Sequence, residues 1–344
     1  MVAVWYAIVA VTLTVWAVLD GFDFGAGIVQ RLVARTEEER GTVIAAIGPV
    51  WDGNEVWLVI AGGVFFFAFP HAYAAALSGM YLPLMMVLWL LVFRGVSIEL
   101  RGQVPHPLWR AGWDALFALS STVMAFVAGV ALANVIRGVP LDETGWFHLD
   151  LFALRGSRAG ALDAYTALVG LMGVVVLATH GASYVAWKTE GTVHDRSVVV
   201  AKRAWLVTIV LASGVTAATA LVRPAMFAAL AGRPWIWPLP VLAVASPVAA
   251  LQALARGKDL RAFLASCAFV ASLLLATAGT LYPVILWSTL GRAYDLDASR
   301  AASGPHGLTL GLAWWAAAMV LALLYFVNLS RSTRGKVKAG DYGH

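Results

Sequence analysis

Two stretches of this sequence place carboxylates where apolar residues would be expected. Leu19-Asp20-Gly21-Phe22-Asp23-Phe24-Gly25-Ala26-Gly27 closes one long apolar run, and Gly48-Pro49-Val50-Trp51-Asp52-Gly53-Asn54-Glu55-Val56-Trp57-Leu58 lies within another. An ionisable group inside a membrane helix costs roughly a few kcal/mol, so each one implies a partner or a task such as proton relay or ion binding. Asp20 and Asp23 stand three residues apart on neighbouring faces of one helix. Gly21 and Gly25 form a small-xxx-small pair suited to the close approach of a second helix. Gly48, Asp52 and Glu55 follow helical spacing on roughly one face, and Pro49 frees a backbone carbonyl for water or a polar side chain. The Asp20 and Asp23 pair also reads as helix-end carboxylates reaching water. Asp52 and Glu55 point more to function, because apolar residues would fill a core more easily than acids.

A third run ends in Phe93-Arg94-Gly95, with Glu99 and Arg101 following. Arg94 falls at the depth of Asp23, so an ion pair between them is expected, although a topology anchor is an equal reading for Arg94 and the stronger one for Arg101. Of seven histidines, only His180 lies well inside an apolar run. A single intramembrane histidine without a paired axial ligand reads as a packed or hydrogen-bonded residue rather than a haem ligand. The lone Cys267 offers neither a disulfide nor a thiolate metal cluster and reads as helix packing.

The elements that must position these groups are membrane helices. The chain has 344 residues, 61% hydrophobic and 12% charged, against roughly 25% charged in soluble domains. About 20 apolar residues cross a bilayer, and nine segments meet that need, near 2–29, 42–69, 72–93, 113–136, 162–187, 204–222, 235–255, 262–290 and 308–330. On this count Asp52 lies about ten residues into its span, roughly 15 Å deep. With the N-terminus outside, 17 of the 24 Lys and Arg residues fall on the cytoplasmic side and 7 outside, counting Arg155 and Arg158 outside and Lys338 inside. That is the positive-inside asymmetry, with a cytoplasmic C-terminus. The net charge of +5 is spread over short loops, which points to topology rather than to nucleic acid. The first run lacks a basic leader, so a cleaved signal peptide is not expected. The connection 137–161, with Pro140, Asp142, Glu143, Trp146 and His148, reads as a solvated outer loop more than as a cap on the outer face or a partner contact, and the basic tail beyond 330 as a membrane-surface anchor. One integral membrane domain over 1–344 is expected.

Asp20-Gly21-Phe22-Asp23-Phe24-Gly25 together with Trp51-Asp52-Gly53-Asn54-Glu55-Val56-Trp57-Leu58 resembles subunit II of cytochrome bd-type quinol oxidases. Phe93-Arg94-Gly95 with Glu99 and Arg101, Trp113-Asp114, and Leu308-Thr309-Leu310 fit the same pattern, most densely over the first 115 residues. The resemblance implies an all-α fold of nine transmembrane helices, two four-helix bundles plus one peripheral helix, in the bacterial inner membrane. It implies that haem b and haem d sit on the partner, subunit I, and that none is bound here. A structural quinone or lipid in this subunit and small single-helix subunits remain open, and the complex's substrates would be quinol and oxygen. Asp23, Arg94 and Asp52 match positions implicated in a cytoplasmic proton route. Glu55 stands where some relatives have Gln, so an obligatory acid there is in doubt. Without the resemblance, the same carboxylates beside a proline-broken helix fit a proton- or ion-coupled secondary transporter, or a scaffold in which they only fix packing.

Overall fold

The computed structural model describes residues 1–152 and 160–337; Arg155, Arg158, Lys338 and His344 lie outside the described residues. The chain is a bundle of long helices: α1 (Val2–Val33), α2 (Glu37–Ile47), α3 (Trp51–Ala68), α4 (Pro70–Gly79), α5 (Tyr81–Leu100), α6 (Pro107–Arg137), α7 (Ala164–Lys188), α8 (Gly191–Val222), α9 (Pro224–Ala231), α10 (Pro238–Ala255), α11 (Asp259–Leu281), α12 (Ala298–Ala301) and α13 (Pro305–Ser332). Two short antiparallel strands, β1 (Val284–Leu286) and β2 (Leu296–Asp297), join the last helices. Among the described residues, eight helical segments are long and apolar enough to cross a membrane. The pair α2 and α3, bent by 47° at its break, raises the number to nine if it forms one span.

Local chemistry sets the boundaries. Thr36 caps α2 in a reciprocal box with Glu39, and Asp163 caps α7 with Thr166. Pro70, Pro107, Pro224 and Pro305 stand at first helical positions, where a missing N–H costs nothing. Pro49 falls in the interval between α2 and α3, which divides the expected 42–69 span at its polar motif. The expected 72–93 span is likewise divided, into α4 and α5 at Met80.

Helix α7 is the hub and packs against α1, α6, α8 and α11, while α1 also packs against α3. Its crossing with α1 is a backbone contact. A methyl added at Gly25 would stand 2.0 Å from the Leu177 carbonyl, and one at Gly181 would stand 2.1 Å from the Gly25 carbonyl carbon. Gly21 continues the seam against Leu177 and His180. Helix α13 lies at the margin, where Leu308 is its one buried residue and accepts the Trp5 indole N–H through its carbonyl.

Three expectations change. The 262–290 span ends at Leu281; Pro283 and the hairpin follow, because a proline cannot continue the helix. The described part of the 137–161 loop is not simply solvated. Val139, Leu141, Phe147, Leu149 and Ala161 are buried with Leu286 of β1 in a small core that caps one end of the bundle. Asp297, in this same region, caps α12, and hydrogen bonding from Ser299 holds its carboxyl below the usual range. The tail beyond 330 also does more than lie on a membrane surface, since residues 333–337 fold back onto the end of α7.

The α1–α7 contact leaves no room for a side chain. Gly25→Val and Gly181→Val are expected to destabilise the chain by about 3 kcal/mol or more through overpacking. Gly62→Ala, which meets nothing within 4 Å, is expected to be neutral. The thermal midpoint in detergent distinguishes them.

Candidate functional site

Where α1, α3 and α5 meet, the guanidinium of Arg94 is fully buried. Its Nη1 donates to Asp20 on α1, and its Nη2 donates to Glu55 on α3 at 2.7 Å. Asp20 also accepts the Trp16 indole N–H at 2.8 Å, one turn earlier on α1. The Phe24 ring lies 4.2 Å from the guanidinium carbon, which gives the cation an aromatic face as well as two anionic edges. Asp23 is fully buried beside this pair and accepts the Asn54 amide N–H at 2.8 Å through Oδ2. Asp23 Oδ1 and Arg94 Nε have no hydrogen-bond partner among the described residues.

The expected ion pair between Arg94 and Asp23 is therefore replaced. Positions three apart on a helix point about 60° away from each other, so the helix that aims Asp20 at α5 aims Asp23 toward α3 and Asn54. Tertiary packing brings Asp20, Asp23, Asn54, Glu55 and Arg94 together. It does not bring Asp52 in, because Asp52 is exposed in the first turn of α3 and makes no hydrogen bond or ion pair among the described residues. There it stands in the first turn of a helix without a side-chain cap, a favourable place for a carboxylate. Glu55 keeps 25% of its side chain exposed, so the cluster reaches the protein surface through this residue.

The other motif residues frame the cluster. Trp51 packs over Gly95, where an added methyl would stand 3.2 Å from the indole. Gly53 meets Tyr325, and the Trp57 ring lies 5.6 Å from that of Phe326, so α13 covers this side of α3. Pro49 is exposed at the break and cannot supply the N–H that the Ala45 carbonyl would receive in a continuous helix. His180 is buried with both ring nitrogens engaged: Nε2 donates to the Val18 carbonyl at 2.8 Å, and Nδ1 lies 2.7 Å from Ser266 Oγ.

A second cluster was not anticipated. Asp114 on α6 is buried and accepts from Arg101 Nε at 2.6 Å, Arg40 Nε at 2.9 Å and Gln30 at 3.3 Å. Arg101, expected as a surface anchor, is buried in this network and also reaches the Glu37 carbonyl at 3.2 Å. Nearby, Glu37 pairs with Arg110, and Glu39 with Arg196 and Thr192. The available signal was that Arg101 and Asp114 flank one short connection between two spans, which puts them at the same depth. This basic end of the bundle is tied by ion pairs, whereas the centre holds three carboxyl groups around one guanidinium.

A bundle of apolar helices enclosing such a cluster is a multi-pass membrane protein. The family model described as cytochrome bd terminal oxidase subunit II matches residues 1–332, and the chain belongs to that family. It is 31% identical over 347 aligned residues to the Escherichia coli K12 cytochrome bd-I ubiquinol oxidase subunit 2, covering 93% of this chain and 90% of that protein. It is 34% identical over 304 aligned residues to the Bacillus subtilis cytochrome bd ubiquinol oxidase subunit 2, covering 88% and 87%. A chain in the structure of the bd oxidase from Geobacillus thermodenitrificans superposes with a TM-score of 0.73 at 18% identity, covering 96% of this chain and 97% of that one. The chain is thus a subunit of a quinol oxidase complex, an oxidoreductase with a partner subunit I. This sets aside the transporter reading.

Removing one partner of a buried ion pair costs about 3–5 kcal/mol, because the other charge stays behind. Arg94→Gln is expected to cut the yield of assembled complex severely. Arg94→Lys, which keeps the charge but loses the fork that reaches Asp20 and Glu55 at once, should fall between. Complex recovered per unit of membrane after detergent extraction ranks the three.

Proposed function

We propose that this chain is the haem-free subunit II of a bacterial inner-membrane bd-type oxidase, and that it carries protons from the cytoplasm toward the partner's oxygen-reducing site. The reading counts nine crossings with the bent α2–α3 pair as one span, the N-terminus outside and the C-terminus cytoplasmic, arranged as two four-helix bundles with α13 peripheral. The basic end of the bundle then faces the cytoplasm. The haems supply electron transfer and oxygen chemistry on subunit I. Each oxygen reduced to two waters consumes four electrons and four protons, and two quinols release as many. Protons taken from the inside and released outside build a gradient without a pump.

The observation that carries the reading is the buried cluster of Asp20, Asp23 and Glu55 around the single Arg94. One guanidinium balances one carboxylate, so the remaining carboxyl groups are placed to accept and release protons. Asp23, with one oxygen that has no hydrogen-bond partner among the described residues, stands beside Asn54 just beyond the helix break at Pro49. Asp20 and Arg94 continue inward, and Glu55 reaches the surface. Asp52 stands exposed on the same helix, in position to meet the partner subunit. The two engaged nitrogens of His180 support the haem-free assignment, since an axial ligand needs one of them.

A cavity of about 480 Å³ between α1, α3, α6, α7 and α11 is lined almost entirely by apolar side chains, including Ala10, Phe24, Met124 and Leu274. It is suited to the isoprenoid tail of a structural quinone or to a lipid acyl chain.

In the assembled oxidase, Asp23→Asn is expected to lower oxygen consumption and charge translocation at least about tenfold, the loss of one positioned proton-transfer group, while the haem spectrum is retained. Asp52→Asn should lower both rates, and Glu55→Gln should have the smaller effect. Wild-type rates in both Asp variants would disprove the route. Ala10→Trp should cut co-purifying quinone or phospholipid, measured by mass spectrometry of the extracted complex, without loss of haem.

A further inference from the structure

The basic end of the bundle carries a feature that the carboxylate cluster does not use. Lys188, the last residue of α7, is 6% exposed although it is a lysine. Among the described residues its ammonium meets no carboxylate; Nζ donates instead to the Thr333 carbonyl at 2.7 Å and the Gly335 carbonyl at 3.0 Å, just beyond the end of α13. The chain then turns at Gly335, whose φ of +111° is a backbone conformation that favours glycine. Val337 donates its N–H to the Lys188 carbonyl at 2.7 Å and packs against the main apolar core. Lys336 reaches Asp259 at 3.4 Å, which also receives His194 at 3.1 Å. Residues 333–337 are therefore a strap, fastened at three points to α7, α11 and the core.

Beneath the strap is a cavity of about 210 Å³ with a mixed polar and apolar lining. Its opposite wall is Ala45, Ala46 and Pro49, the break between α2 and α3. This is the wall that bears the Ala45 carbonyl, deprived of its helical donor by Pro49, and five residues further on Asn54 holds Asp23. Tyr184 also bonds the Ala46 carbonyl at 2.8 Å, with its ring stacked on Phe22 between Asp20 and Asp23. The strap thus lies across the Ala45 and Ala46 side of the break, while Pro49 itself stays exposed.

We propose that residues 333–337 form a latched cover over the cytoplasmic mouth at the α2–α3 break, with Lys188 as the positioning residue that holds it shut, and that opening this cover governs how fast protons reach Asp23. The inference rests on the proton-route reading. A buried ammonium bound to two carbonyls suits a latch, because the two hydrogen bonds are strong when made and no carboxylate among the described residues lines the pocket to compete for it. Lys336 with Asp259 and His194 is a weaker, more exposed second fastening.

The test uses the whole oxidase in inside-out vesicles, with Ala45→Cys in a Cys267→Ser background. Labelling of residue 45 by a charged methanethiosulfonate is followed by mass spectrometry of its peptide. Labelling is expected to be slow with Lys188 present. It should accelerate at least about tenfold with Lys188→Met, or with the chain ended after Ser332, as the loss of two charge-assisted hydrogen bonds requires. Lys188→Arg, which can still donate to both carbonyls, should restore slow labelling. In parallel, the solvent deuterium isotope effect on turnover should change in the opened variants and return toward wild type with Lys188→Arg. Unchanged labelling in both opened forms would overturn the cover, whatever carries the protons. Faster labelling with an unchanged isotope effect would overturn the control of proton supply. Wild-type turnover in Asp23→Asn would show separately that the route itself, rather than the cover, had failed.

Discussion

A guanidinium with no access to water must be surrounded by acceptors, and in this protein two other helices supply them to Arg94. Asp20 comes from α1, Glu55 from α3 and the aromatic face of Phe24 again from α1, while Arg94 itself comes from α5. In a medium of low dielectric such a cation strongly disfavours any arrangement in which one of these helices slides or rotates, because an uncompensated charge would remain. The electrostatic requirement therefore fixes the mutual rotation of α1, α3 and α5. The backbone crossing of α1 over α7 at Gly25 and Gly181 fixes the depth of α1 against the hub of the bundle.

That same rotation decides the chemistry. With Asp20 spent on Arg94, Asp23 is left one helical step away, bonded among the described residues by a single neutral amide. A carboxyl group held by a neutral donor can change its protonation with less disruption than one clasped by a guanidinium. The break between α2 and α3 matters for a related reason. A continuous helix would satisfy every backbone carbonyl internally, whereas Pro49 leaves one for other donors at the point where the chain passes from the basic end to the cluster.

The ends of the bundle show two ways of closing a membrane protein. At one end, buried apolar residues of the long loop and the β1–β2 hairpin form a small core of their own. At the other, ion pairs around Asp114, Glu37 and Glu39 tie the ends of α1, α2, α5, α6 and α8, and the strap lies over the remaining opening. The division follows composition: the first connection has the apolar residues to fold on itself, and the second is short and rich in arginine.

The sequence by itself determined that this is a bundle of membrane helices, that α1 and the α2–α3 region carry carboxylates needing a purpose, and that the chain resembles subunit II of bd-type oxidases. Those conclusions rest on hydropathy and on local motifs, which are contiguous in the chain. Tertiary structure decided which acid meets Arg94. Asp20 and Asp23 are equivalent in type and nearly so in depth, and only the rotation of α1 against α5 and α3 separates them. Structure also decided that Asp52 faces outward, that Arg101 is buried on Asp114, and that the chain beyond α13 returns to Lys188. Each of these depends on partners distant in sequence, with 74 residues between the numbers of Asp20 and Arg94 and 145 between those of Lys188 and Thr333. Hydrophobic periodicity records which face of a helix is apolar, but not which other helix will stand against its polar residues, because that is set by the packing of the whole bundle.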